Sequence, residues 1–149
     1  MFPRRLYNFC TQLLQKGSLK LNLPVGIVSH IYNNNYEIVA INSNVGSMRS
    51  GIVFPLSETY CRDVYDSGKT VATADVERLA GHPLYVKMPL KAYISAPIHF
   101  QKGIWGTVNF TSGTPHPPFT KADIQLVESY AKKVTEQLME LNTASIAYP

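Results

Sequence analysis

Two strand-turn-strand signals set most of the limits on how this chain can fold. Residues 25–32 (VGIVSHIY) and 36–42 (YEIVAIN) are rich in β-branched and aromatic side chains. Asn33-Asn34-Asn35 separates them, and asparagine tolerates the left-handed backbone that a tight turn requires. Residues 92–100 (AYISAPIHF) and 104–111 (IWGTVNFT) repeat the pattern around Gln101-Lys102-Gly103, whose glycine suits a short turn. Antiparallel pairs of this kind need a layer over one face, and the two ends of the chain supply it. Phe2, Leu6, Phe9 and Leu13, flanked by Cys10 and Leu14, recur three and four residues apart and predict an amphipathic helix over residues 1–22, its regular part ending near Gly17-Ser18. Thr120 and Asp123 have the spacing of a capping box and open a second helix over residues 120–144. The fold class expected is α+β: a central antiparallel sheet with the N- and C-terminal helices on one face.

Between the hairpins the chain is irregular. Gly46 and Gly51 mark a loop that leads into extended residues 52–56. Residues 59–67 predict a short helix closed by Gly68, and residues 70–75 a short strand. Residues 76–91, with Gly81, Pro83 and Pro89, read as a loop holding at most a turn or two of helix, and three prolines hold 112–118 out of regular structure. A chain of 149 residues is the size of one domain, spanning 1–149, and 45% hydrophobic with 16% charged residues is the composition of a packed core rather than of disorder. Its net charge of +4 is spread along the chain, which argues against a nucleic-acid partner. No apolar run approaches the ~20 residues of a membrane span and no signal peptide is evident, so a cytoplasmic chain with no membrane partner is expected. In that compartment Cys10 and Cys61 are expected as free thiols.

The residues give little sign of catalysis. His30, His82, His99 and His116 make no pair at metal-ligand spacing. Ser57, Ser95 and Ser112 lack the setting of a strained nucleophile, and there is no phosphate-binding loop, dinucleotide fingerprint or carboxylate pair. The chain is therefore read as a non-enzyme, with no cofactor assigned. Cys61 is either a redox thiol activated by Arg62 or a small buried core residue. Asp75 either accepts hydrogen bonds from a ligand or caps the next turn, and Tyr60, Tyr65, Tyr85 and Tyr93 either present hydroxyls to a cavity or pack amphipathically. Ile124, Val127, Ala131, Val134, Leu138 and Leu141 alternate spacings of three and four, the stripe of a helix that packs on another helix. A sheet five or six residues deep would leave the end of that stripe uncovered, which assigns Val134, Leu138 and Leu141 to a homodimer interface.

Five segments then show a family likeness. Residues 56–65 (LSETYCRDVY), 71–75 (VATAD), 90–98 (LKAYISAPI), 106–112 (GTVNFTS) and 118–123 (PFTKAD) resemble, in order, the motifs of one branch of GAF domains, found in bacterial sensor kinases, diguanylate cyclases and PAS-GAF signalling proteins. The resemblance implies a GAF/PAS-like sheet with terminal helices on one face and a ligand pocket on the other, roofed by segments 44–58, 59–68 and 75–91. It also implies a sensory domain that binds a small molecule and relays the signal through dimerised terminal helices, fused to or acting on an output domain such as a histidine kinase or diguanylate cyclase. The alternative is a ligand-free dimerisation scaffold. A methionine sulfoxide reductase is a third reading, weakened because Cys61 has only Cys10 as a possible partner. Bilin-binding relatives place histidine after the attachment cysteine, where this chain has Arg62, and the Asn-Lys-x-Phe-Asp-Glu signature of cyclic-nucleotide binders is absent.

Overall fold

Alternation along the strands divides the molecule into two layers on either side of one sheet. The computed structural model describes residues 2–43, 48–75 and 89–147, with side chains to Thr143. Helix α1 (Arg4–Leu21) leads into β1 (Val25–Tyr32) and β2 (Asn35–Asn42), followed by the short edge strand β3 (Val53–Pro55). A single 3-10 turn (Leu56–Glu58) and helix α2 (Arg62–Ser67) lead to β4 (Val71–Thr73). The second hairpin, β5 (Ala92–Phe100) and β6 (Gly103–Ser112), precedes the long helix α3 (Lys121–Ala147). The sheet runs β3-β2-β1-β6-β5-β4, with every neighbouring pair antiparallel. The expected α+β arrangement of a central sheet with terminal helices is what forms. Among the described residues no helix is long and apolar enough to cross a membrane.

Local chemistry accounts for the ends of these elements. Asn33 and Asn34 both take the left-handed conformation, at φ 49° and 62°, and close the first hairpin. In the second turn it is Gln101, at φ 57°, that adopts this conformation, while Gly103 already belongs to β6. Thr120 and Asp123 cap α3 reciprocally: the Thr120 N–H donates to Asp123 Oδ2 at 2.9 Å and the Asp123 N–H to Thr120 Oγ1 at 3.1 Å. Gly68, at φ 68°, ends α2 by donating its N–H to the Val64 carbonyl.

Two expectations about the helices are corrected. Helix α1 does not end at Gly17-Ser18; it continues to Leu21 and closes on left-handed Asn22. Gly17 is instead a point of close approach, because a Cβ there would stand 2.3 Å from Phe110 Cζ and 2.9 Å from Tyr130 Cε2. The stripe on α3 is also covered further than expected. Val134 is fully buried, Leu138 is 7% exposed, and Leu141 packs half-buried against the same core. The reason is strand length. With nine and ten residues, β5 and β6 reach ~30 Å at ~3.3 Å per residue, whereas the helix climbs only ~21 Å from Ile124 to Leu138 at ~1.5 Å per residue. The chain's own sheet and α1 therefore cover Val134 and Leu138, and no second copy is needed to do so.

The helix-side core joins Leu6, Cys10 and Leu14 of α1 and Val127 and Val134 of α3 to the sheet residues Val28, Ile94, Ile98, Val108 and Phe110. An exposed Arg5–Glu140 ion pair bridges the two helices. At the centre of the sheet, β1 and β6 approach so closely that a Cβ on Gly106 would lie 1.7 Å from the Ser29 carbonyl oxygen. Gly106→Ala is therefore expected to cost ~3 kcal/mol or more, because a backbone oxygen cannot move aside without opening the β1–β6 ladder. Gly113→Ala, which meets nothing within 4 Å, is expected to stay within ~0.5 kcal/mol of the parent. Urea denaturation of the two variants checks both.

Candidate functional site

The sheet face away from the helices carries a second cluster, built by the same alternation in the opposite phase. Ile27 and Ile31 of β1, Tyr36 and Ile38 of β2, and Tyr93 of β5 lie beneath Leu56, Tyr60, Cys61 and Val64 of the 3-10 turn and α2. These two layers do not close completely. Between them is a cavity of about 240 Å³. Its walls are apolar, with Val25, Ile27, Met48, Phe54 and Leu90, and its floor presents Tyr36, Cys61, Tyr93, Asn109 and Thr111. Other depressions lie along α3, where Lys69, His99 and Lys132 are exposed, and near exposed Arg4 and Tyr7.

The floor is a buried hydrogen-bond network centred on Cys61. Its Sγ accepts from the Tyr93 hydroxyl at 3.1 Å, the Thr107 hydroxyl at 3.3 Å and the Asn109 amide at 3.4 Å, and lies 3.8 Å from Ser95 Oγ. The Asn109 Nδ2 also donates to the Tyr36 hydroxyl at 3.0 Å and to Thr107 Oγ1 at 3.3 Å. Ser29 Oγ accepts the Thr107 backbone N–H at 3.1 Å and sits 2.7 Å from Thr107 Oγ1, which ties the network to the central strands. Burial is the main cause that pushes the Cys61 thiol up, partly offset by hydrogen bonding with Thr107, Tyr93, Ser95 and Tyr36. Burial, reinforced by the neighbouring Cys61, holds the Tyr36 and Tyr93 hydroxyls well above the ordinary phenol range. At neutral pH the floor is therefore uncharged, and a protonated thiol is a poor nucleophile.

Of the six residues expected at a ligand site, Tyr60, Cys61 and Tyr93 meet at this cavity, with the two tyrosine ring centroids 5.7 Å apart. Tyr65 is 37% exposed on α2 and is not part of the lining. Asp75 stands just past β4, in a separate depression with Ala74, Pro118 and Phe119, where its N–H donates to Thr73 Oγ1 at 3.2 Å. Tyr85 lies outside the described residues. Arg62 is 3.7 Å from Asp63 and is not among the groups that act on the Cys61 thiol. Cys10 belongs to the helix-side core and Cys61 to the cluster on the other face, so the sheet stands between two free thiols. Sequence reasoning missed Tyr36, Asn109 and Thr111. The signal was present in β6, where polar Thr107, Asn109 and Thr111 alternate with apolar Val108 and Phe110. Among the described residues no three histidine, cysteine or acidic side chains could hold a metal ion.

Comparison with known proteins gives the following. The GAF domain family model matches residues 9–138. No curated protein sequence matches the chain. The GAF domain of an Acinetobacter phosphoenolpyruvate-protein phosphotransferase superimposes with a TM-score of 0.78 at 11% identity, covering 94% of this chain and 85% of that one. The red light-absorbing state of a red/green cyanobacteriochrome gives 0.75 at 14% identity, covering 93% and 97%. The chromophore-binding domain of a bacteriophytochrome from R. palustris gives 0.74 at 16% identity, covering 93% of this chain and 57% of that one.

The buried thiols make stability fall in alkali. Burial pushes Cys10 up to about 12 from an unfolded value of 9.0. A group raised on folding contributes its full stability below the unfolded value and loses it as pH climbs toward the folded one. Between pH 9 and 12, Cys10 alone is expected to remove about 1.4 kcal/mol per pH unit. Urea midpoints measured from pH 8 to 10.5 should fall, and less steeply in Cys10→Ala. Neither thiol is expected to react with iodoacetamide at pH 7.5 until the protein is unfolded.

Proposed function

Because the chain belongs to the GAF domain family, we propose that it is a non-enzymatic sensory domain that holds a small molecule in the cavity between the sheet and α2. The cavity itself carries this reading: an apolar-walled space of about 240 Å³ with a neutral hydrogen-bonding floor, on the face opposite the terminal helices. Ligand sites commonly combine mostly apolar walls with a few placed polar groups. An engineered cavity of ~150 Å³ takes a benzene, so this one suits one or two fused rings and is small for an open-chain tetrapyrrole of the kind bilin-binding relatives carry.

Occupancy is relayed, on this reading, through β6 to the terminal helices. Asn109 and Thr111 face the cavity, while Phe110 between them faces α1 and α3. A ligand that prefers one setting of β6 shifts the packing of Phe110, and with it the helices; equal affinity for both settings would shift nothing. The domain is further proposed to act on a signalling output domain, such as a histidine kinase or diguanylate cyclase, through the end of α3. Pairing of two copies is proposed on narrower ground than the stripe first suggested. Met139, 56% exposed, remains available on the outer side of α3, while Leu141 packs against the core.

Two measurements test these proposals. Native mass spectrometry of protein from its own host should show a small mass that leaves on denaturation, and Val25→Phe, which fills the cavity wall, should lack it. If the mass persists in Val25→Phe, the ligand lies elsewhere. In sedimentation velocity the parent should be a dimer and Met139→Glu a monomer with an unchanged urea midpoint; a monomeric parent, or a dimeric Met139→Glu, defeats pairing through α3.

A further inference from the structure

We infer that the cavity selects an uncharged ligand of one or two fused rings bearing an N–H or O–H donor, received by Asn109 Oδ1 with the Thr111 hydroxyl beside it. This deepens the proposed function and rests on it. Asn109 is 3% exposed, and its Nδ2 faces the network, with two hydrogens shared among the Tyr36 hydroxyl, Cys61 Sγ and Thr107 Oγ1. Because the Thr107 hydroxyl proton is directed at Cys61, the amide NH₂ is the end that completes the network. Asn109 Oδ1 is then left as an acceptor open to the cavity, and among the described residues no protein group donates to it. Two positions along β6, on the same face, half-buried Thr111 makes no side-chain hydrogen bond among the described residues. A ligand that fills the cavity covers this oxygen, so one that supplies a donor is favoured over an isostere that leaves it unpaired.

Charge is selected by the same lining. Among the described lining residues there is no lysine, arginine or histidine, and the one carboxylate, Glu58, is exposed at the edge. An anion would give up its hydration for a neutral floor and face a like charge at the mouth. The walls, Val25, Ile27, Met48, Phe54 and Leu90, offer apolar surface to a ring.

Three probes separate the possibilities: indole, which has an N–H donor; 1-methylindole, which has none; and indole-3-carboxylate, which is anionic. Each is titrated into the ¹⁵N-labelled protein and followed by amide shifts. Indole is expected to move the amides of β6 and α2, with 1-methylindole and indole-3-carboxylate each at least tenfold weaker. Thr111→Val, which keeps the shape of the side chain, should weaken indole about fivefold, and Val25→Phe should abolish its shifts; Asn109→Leu is the direct variant but also strips the network around Cys61. If 1-methylindole or the carboxylate binds as tightly as indole at the same amides, the small-molecule reading stands and this inference fails. If none of the three moves the cavity amides of the parent, this inference fails, and the native mass measurement alone decides the broader reading.

Discussion

The ring of Phe110 and the space left for it govern how the two layers meet. A Cβ on Gly17 or on Gly26 would come within 2.3 Å or 2.8 Å of this ring, so two glycines, one on α1 and one on β1, leave the slot that it fills. Tyr130 of α3 closes over it, with ring centroids 6.2 Å apart. One side chain thus fixes the height of α1 above the sheet and the position of α3 beside it. The period of two along β6 then decides the opposite face. With Phe110 turned toward the helices, Asn109 and Thr111 must turn away from them. The core plug and the cavity floor are consequences of one register.

The network beneath the cavity is held together without charge. Five polar side chains surround one thiol, and the amide of Asn109 joins the sulfur to the hydroxyls of Tyr36 and Thr107. An arrangement of this kind resists substitution, because removing one member leaves the others buried without partners. It also makes Cys61 unsuited to the roles that a thiol in a pocket suggests. The sulfur accepts hydrogen bonds, which favours a thiolate, yet burial outweighs them and keeps the proton on. With Cys10 on the other side of the sheet, no second thiol stands ready to resolve an oxidised Cys61. On the proposed reading, what such a floor contributes is recognition by hydrogen bonds.

Elements set by local chemistry were legible in the sequence, and features set by approach across the sheet were not. The asparagine turn, the Thr120–Asp123 cap and the glycine at the end of α2 declare themselves within a few residues, and each forms as expected. Gly17 reads locally as a helix breaker, and its role as a point of contact depends on Phe110, far along the chain. Leu138 was misjudged for a similar reason: the depth of the sheet depends on how long β5 and β6 run, which is a property of their pairing. Of the residues expected at a ligand site, Tyr60, Cys61 and Tyr93 line the cavity. Tyr65 was drawn in by its neighbours although α2 turns it outward, and Asp75 although its depression is a separate one. The missing floor was written in the alternation of β6, which becomes informative only once it is known which phase faces the helices.

On the proposed reading, the same geometry limits how a signal can leave the cavity. The central strands β1 and β6 are joined by an unbroken antiparallel ladder from Val25–Thr111 to His30–Gly106, so they cannot slide apart without losing it. A change at Asn109 must therefore move β6 as a body or rotate its side chains, and Phe110 is its immediate neighbour on the helix side. Close-packed interiors pass such displacements on rather than absorb them. The slot has little slack, because its walls are glycines set against the sheet and helix backbones. A shift of Phe110 then appears as a change in how α1 and α3 lie against each other. Beyond Leu138 the end of α3 is less constrained by the core, since Met139 is exposed and Leu141 only half-buried. Under the proposed relay, movement generated at the slot finds its largest amplitude there, at the place proposed for contact with a partner helix or an output domain.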